Sequence, residues 1–223
     1  MGKFYNDTPR KKGRALCKHS LGLEKFSMDQ ALQKLIVSMK DEDLKMRASI
    51  LEDGSLYDGY PKKMEELHII NSEKLKTIVD TNGWPGRSLV GKEGADAAII
   101  IAQNSISNPD VQKYFLVELK KAVIKGEATS IQEACLEDRI LFNQGKPCLY
   151  GMLFDWDSTG NLVANVDDEK LVNERRSKLG LRPLSEALEK HCEDIKREGG
   201  GPPADIKKHK EMEQEWAERV GWR

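Results

Sequence analysis

The chain has 223 residues, and its 36 Lys and Arg against 37 Asp and Glu leave a net charge of -1, so it has no bulk attraction for nucleic acid or an anionic membrane. One third of the residues are charged and 6% are aromatic, yet the apolar residues recur in helical stripes, which excludes a disordered chain. The longest apolar stretch, Ala97 to Ala102, is far shorter than the roughly 18 residues a membrane span needs.

Residues 1–26 are polar and basic through Arg10, Lys11, Lys12, Arg14 and Lys18, and read as an N-terminal arm without the apolar core of a secretory signal. A helical domain follows over residues 27–198. Its first helix, or helix pair, starts at Ser27 as cap and ends near Asp53-Gly54, carrying Leu32, Leu35, Ile36, Met39, Leu44, Met46, Ile50 and Leu51 at three- and four-residue spacing. Gly54 to Pro61 reads as turn, and a second helix is expected from Asn71 or Ser72 to a stop at Gly83. Trp84-Pro85-Gly86-Arg87 then forms a loop in which Trp84 is either a packing anchor or a ligand wall. Ala95 to Ile106 is apolar almost all round and predicts a buried helix.

Asn108-Pro109-Asp110 supplies a cap, a first-turn Pro and a first-turn carboxylate for a helix that runs to Gly126. Ser130-x-x-Glu133 reads as a capping box for the next helix, which stops at Gly145. Pro147 to Val166 reads as a β-hairpin around Asp157-Ser158-Thr159-Gly160, with Tyr150 in its first strand. Asp167 is the expected cap of a charged helix ending at Gly180, and Pro183 to Lys196 is one more. Residues 199–223 comprise a Gly/Pro linker and an amphipathic helix with Met212, Trp216 and Val220, free to dock on the domain or on a partner. The expected fold is mainly α: one multi-helix bundle with a single small β-hairpin.

Chemistry is less legible. His19, His68, His191 and His209 are scattered without metal-ligand spacing, so no metal and no cofactor is expected. The cysteines Cys17, Cys135, Cys148 and Cys192 lack a Cys-x-x-Cys pair and suit a reducing cytoplasm, with Cys148 read as a buried inert thiol. Gly91-Lys92-Glu93-Gly94 before a helix reads as a turn more readily than as an anion site. Polar residues on apolar elements are more telling, because a buried polar group needs partners or a function. Gln103 and Asn104 end the most apolar helix, Asp138 and Arg139 lie on a helix with a core face, and Tyr150 follows. Two readings stay open for them: a satisfied core network, or a pocket in which they converge with Trp84 on a small polar ligand.

The ordered set Gly83-Trp84-Pro85, Val90-Gly91, Gln103-Asn104, Asn108-Pro109-Asp110 with Gln112, Asp138-Arg139, Gly145-Lys146-Pro147, Tyr150-Gly151 and Asn173-Glu174-Arg175-Arg176 before Gly180-Leu181 resembles a family of uncharacterised bacterial proteins, domain of unknown function 6624. The resemblance covers roughly residues 75–188, leaving the preceding segment and the tail as additions. Its members typically read Gln-His-Ala-Asp where this chain has Gln103-Asn104-Ser105-Ile106, and an amide does not titrate usefully or ligate well. Chemistry that depends on that His is therefore expected to be absent or rerouted here.

Two functions result. In the first, the protein is an enzyme, or an enzyme-derived small-molecule-binding protein, acting on a small polar or anionic ligand. Asp138 and Tyr150 are its catalytic candidates, and Trp84, Arg87, Gln103, Asn104 and Arg139 its ligand contacts, with Arg139 holding an anionic group. In the second, it is a non-enzymatic interaction or regulatory protein that holds a partner through the N-terminal arm and the C-terminal helix.

Overall fold

The computed structural model describes residues 28–52 and 59–223, so the basic arm, Ser27 and Asp53-Gly54 lie outside the described residues. The chain is mainly α. Its helices are α1 (Gln30–Glu52), α2 (Lys62–Asn82), α3 (Arg87–Asn104), α4 (Pro109–Ile124), α5 (Ser130–Asn143), α6 (Glu169–Lys178), α7 (Leu184–Arg197) and α8 (Ile206–Val220). Among the described residues the one sheet is a two-stranded antiparallel hairpin, β1 (Asp155–Trp156) with β2 (Leu162–Val163), in which Trp156 faces Leu162. No described helix is long and apolar enough to cross a membrane.

Local chemistry sets the boundaries. Asp29 caps α1 by accepting the Leu32 N–H at 2.9 Å. Helix α2 is continuous from Lys62, so Asn71 and Ser72 are not caps; both are buried in mid-helix, Asn71 donating to the Met39 carbonyl and Ser72 to that of Ile69. A polar residue imitates a cap whenever its own helix turns it toward a neighbouring backbone. The capping box of α5 sits one residue earlier than expected, as Thr129 with Gln132, and Asp168 caps α6 in place of Asp167. Asn108 precedes α4 without a side-chain capping bond, although Pro109 opens the helix as expected.

Two hydrophobic cores result. The larger gathers Ile36, Leu75, Ala98, Phe115, Leu119 and Leu136 from α1 to α5, and α8 returns to it through Ala217 and Trp222. Helices α1 and α3 approach closely because Gly91 and Gly94 leave out a side chain: a Cβ on Gly91 would lie 2.8 Å from Met28 Sδ, and one on Gly94 3.3 Å from Gln33 Cγ. Gly91 also breaks α3 at φ 67°, so the Gly91–Gly94 turn has a packing reason. The smaller core joins the hairpin to α6 and α7 through Phe154, Leu162, Val172, Leu184 and Ala187.

Residues 147–152 are not strand, as the hairpin reading had them; they form an irregular segment between the two cores. Asp138 of α5 holds it from one side, accepting the N–H groups of Leu149 (2.7 Å), Tyr150 (3.1 Å) and Met152 (2.9 Å). Arg176 of α6 holds it from the other, donating to the carbonyls of Tyr150 (2.9 Å) and Arg182 (2.6 Å). Peptide groups engaged by side chains on both sides cannot join a ladder, so residues 149–152 stay out of the sheet.

Candidate functional site

Helices α1 and α2 bury facing stripes, Ile36–Met39–Asp43–Ile50 on one and Met64–His68–Asn71–Leu75 on the other, and both contain polar residues where core would be expected. Asp43 and His68 are each 4% exposed and meet at 3.1 Å, His68 Nε2 to Asp43 Oδ1. The other ring nitrogen, Nδ1, lies 2.6 Å from the Tyr60 hydroxyl. Asn104, at the C-terminal end of α3, donates its amide to Asp43 Oδ2 at 2.5 Å. Beyond Tyr60, Ser107 lies near the phenol and donates to Glu65 Oε1 at 2.7 Å, and Arg219 of α8 reaches both oxygens of Glu65 at 2.9 Å.

Asp43, His68 and Tyr60 thus form a hydrogen-bonded relay, with Asn104 on its carboxylate and the Ser107–Glu65 pair beside its phenol. A carboxylate only accepts, so neutral His68 donates Nε2–H to Asp43 and accepts the Tyr60 proton at Nδ1. An imidazolium fits the same geometry, donating to Asp43 from Nε2 and to the Tyr60 oxygen from Nδ1. Burial raises the Tyr60 phenol well above its ordinary pKa, against the opposing influences of Ser107 and the Arg139 charge. Burial also draws the Arg139 guanidinium down to about 10, which leaves it cationic at neutral pH. One turn beyond His68, the 2% exposed Asn71 keeps a side-chain oxygen without a hydrogen-bond partner.

The residues singled out from sequence are divided by the fold. Asn104 lies in the relay, and Arg139, 4% exposed, acts on it electrostatically. Gln103 is next to Asn104, but its carbonyl is taken by Gln112. Trp84 is 8% exposed and packs edge-on against Phe115, and Arg87 is exposed; both sit at the N-terminal end of α3, the opposite end from Asn104. Tyr150 is half-buried, its phenol raised by burial, and its peptide is bound to Asp138 and Arg176. Asp138 is 0% exposed; burial raises its carboxyl to about 6 while the three backbone N–H groups pull the other way. Cys148 is buried, with a thiol pushed up by that burial.

Asp43, Tyr60 and His68 escaped the reading of the sequence. Their signal was a polar residue at a core position of an amphipathic stripe, on two different helices. A cavity of about 120 Å³ lies elsewhere, lined by Cys148, Leu149, Asp168 and Arg175. Asp155, His209 and Glu213 bring three ligand atoms within 4.8 Å of one another, but Lys210 bridges Asp155 and Glu213, so an ammonium already balances their charge.

The model of the family of unknown function DUF6624 matches residues 30–196. The chain belongs to this family. The match begins at Gln30, so α1 and the first half of α2 are family structure and not an addition, and α8 lies beyond its end. The relay and the side chains around it, Asp43, Tyr60, Glu65, His68, Asn104 and Ser107, all fall inside it. No curated protein and no solved structure matches the chain.

Proposed function

We propose that the protein is an enzyme, or an enzyme-derived binding protein, acting on a small polar or anionic molecule at the Asp43–His68–Tyr60–Asn104 cluster. The observation that carries this reading is the relay itself, a buried chain of titratable side chains whose geometry suits the imidazole with one proton or with two. Such a chain takes a proton from a bound group at the Tyr60 hydroxyl, whose own proton passes to His68 Nδ1, and balances the imidazolium with Asp43. Tyr60 and Asn104, only half-buried, are the members a ligand meets, and Arg139 supplies the positive field for an anionic group. Asn104 occupies the position at which the family pattern places a His, and it reaches Asp43 from the side opposite His68.

Asp138 and Tyr150 have less support as the proton-transfer pair, because both carboxylate oxygens of Asp138 are taken by peptide N–H groups. The reading as an interaction protein also has less support, since α8 spends its apolar face on its own domain.

A thermal-shift screen of the wild type and His68→Asn against nucleotides, sugar phosphates, amino acids and inorganic phosphate tests the proposal. A ligand-induced rise in Tm that is present in the wild type and lost in His68→Asn is the expected result. Equal rises in both proteins would move binding away from the relay, and a flat response across the panel would remove the reading.

A further inference from the structure

We propose that α8 is a strap that closes the relay site, and that a ligand gains access when the C-terminal half of this helix lifts; the inference concerns regulation of the site proposed above and rests on that reading. Three features carry it. First, α8 lies outside the family match, so the domain that builds the relay is defined without it. Second, α8 covers the relay at its ligand-facing end: the Trp216 ring meets Tyr60 edge-on at 5.9 Å, and Arg219 pairs with Glu65.

Third, the closure is unevenly satisfied. Trp222 anchors the end of the strap by donating its indole N–H to the Ile106 carbonyl at 2.6 Å, and Arg223 donates to the Asn143 carbonyl at 3.3 Å. The indole N–H of Trp216, directly over the site, is buried with no acceptor. A donor withheld from water and given nothing in return favours the lifted state, so the C-terminal half is held by Ala217, Trp222 and Arg223 and opposed at Trp216. The N-terminal half has its own tether, Lys210 bridging Asp155 of β1 and Glu213, so it can stay docked when the anchors of the far half release. An entering anion also competes with Glu65 for Arg219, which couples arrival of the ligand to release.

The imidazole of His68 is a built-in reporter, because carbethoxylation by diethyl pyrocarbonate requires the ring to be reached by reagent. His191 is equally buried, at 5% exposed, but sits on the inner face of α7 against Phe154 of the smaller core, and serves as internal control. The full chain and the double variant Trp216→Ala/Arg219→Ala are to be treated with the reagent, and each site's rate read by peptide mass spectrometry. The expected result is a rise of about tenfold or more in the His68 rate with the His191 rate unchanged. An unchanged His68 rate overturns the proposal, and so does a parallel rise at His191, which would show that removing the strap contacts unfolds the domain and opens no gate. No ligand enters the assay, so a barren ligand screen and an immobile strap are distinguishable failures.

Discussion

Two buried polar centres of this molecule look alike in composition and differ in what surrounds them. Around Asp138 and Arg176 the partners are peptide groups: three N–H donors on the carboxylate, and the carbonyls of Tyr150 and Arg182 on the guanidinium. Around Asp43 and His68 the partners are side chains, Tyr60 and Asn104, themselves partly reachable from solvent. Peptide groups cannot change their proton count, so the first centre can only fix the path of the backbone. Side chains can, so the second can exchange a proton within the same geometry. A buried ionisable residue is thus a functional candidate by virtue of its partners more than of its burial.

The sharpest way to break this contrast is to remove the backbone anchor. Asp138→Ala leaves three buried N–H groups without an acceptor, and at about 1–3 kcal/mol for each stranded group the loss should be at least about 3 kcal/mol, read from urea unfolding. A loss below about 1 kcal/mol would deny the anchor its structural role. Its pH dependence sharpens the point. The folded-state pKa of Asp138, about 6, lies above the ordinary carboxyl value of 3.8, so its contribution is complete below pH 3.8 and is lost as pH rises through 6. The stability gap between wild type and Asp138→Ala should therefore narrow between pH 4 and pH 7, by at most about 3 kcal/mol. A gap that widens over that range would mean that the three N–H groups outweigh burial.

The relay should respond more mildly. His68→Asn removes one partner of Asp43 but leaves Asn104 in place and a cluster that water can partly reach, so the expected cost is about 1–2 kcal/mol in the same unfolding experiment. A cost equal to that of Asp138→Ala would erase the distinction between the two centres.

The difference between the centres also explains what could be read from the sequence. Periodicity and caps carried the fold: the Pro109 start of α4 and the Gly83 end of α2 are local signals and stand as expected. Errors arose where a polar side chain serves a distant backbone. Asn71 looks like a cap because its partner, the carbonyl of Met39, is 32 residues away, and 147–152 looks like strand because Asp138 and Arg176 satisfy its peptides from other elements. Asn104 was legible as a polar residue closing an apolar helix. Asp43 and His68 were not, since each alone looks like part of a charged helix face, and only the pairing of α1 with α2 turns them toward one another.

The smallest expected effect tests how independent the strap is of both centres. Trp222→Phe keeps most of the buried apolar surface and the nearby Lys113 ammonium, 5.5 Å from the ring, but deletes the N–H bond to Ile106. Losing one neutral hydrogen bond costs about 1 kcal/mol, which raises the open population of α8 roughly fivefold. Hydrogen exchange should show this as faster exchange of α8 amides, with the amides of α4 around Phe115 and Leu119 unaffected. If α4 accelerates to the same extent, α8 unfolds only together with the core that Ala217 and Trp222 join. The relay would then be sealed in the native state, and its polar chain would be another anchor, built from side chains where the first is built from peptides.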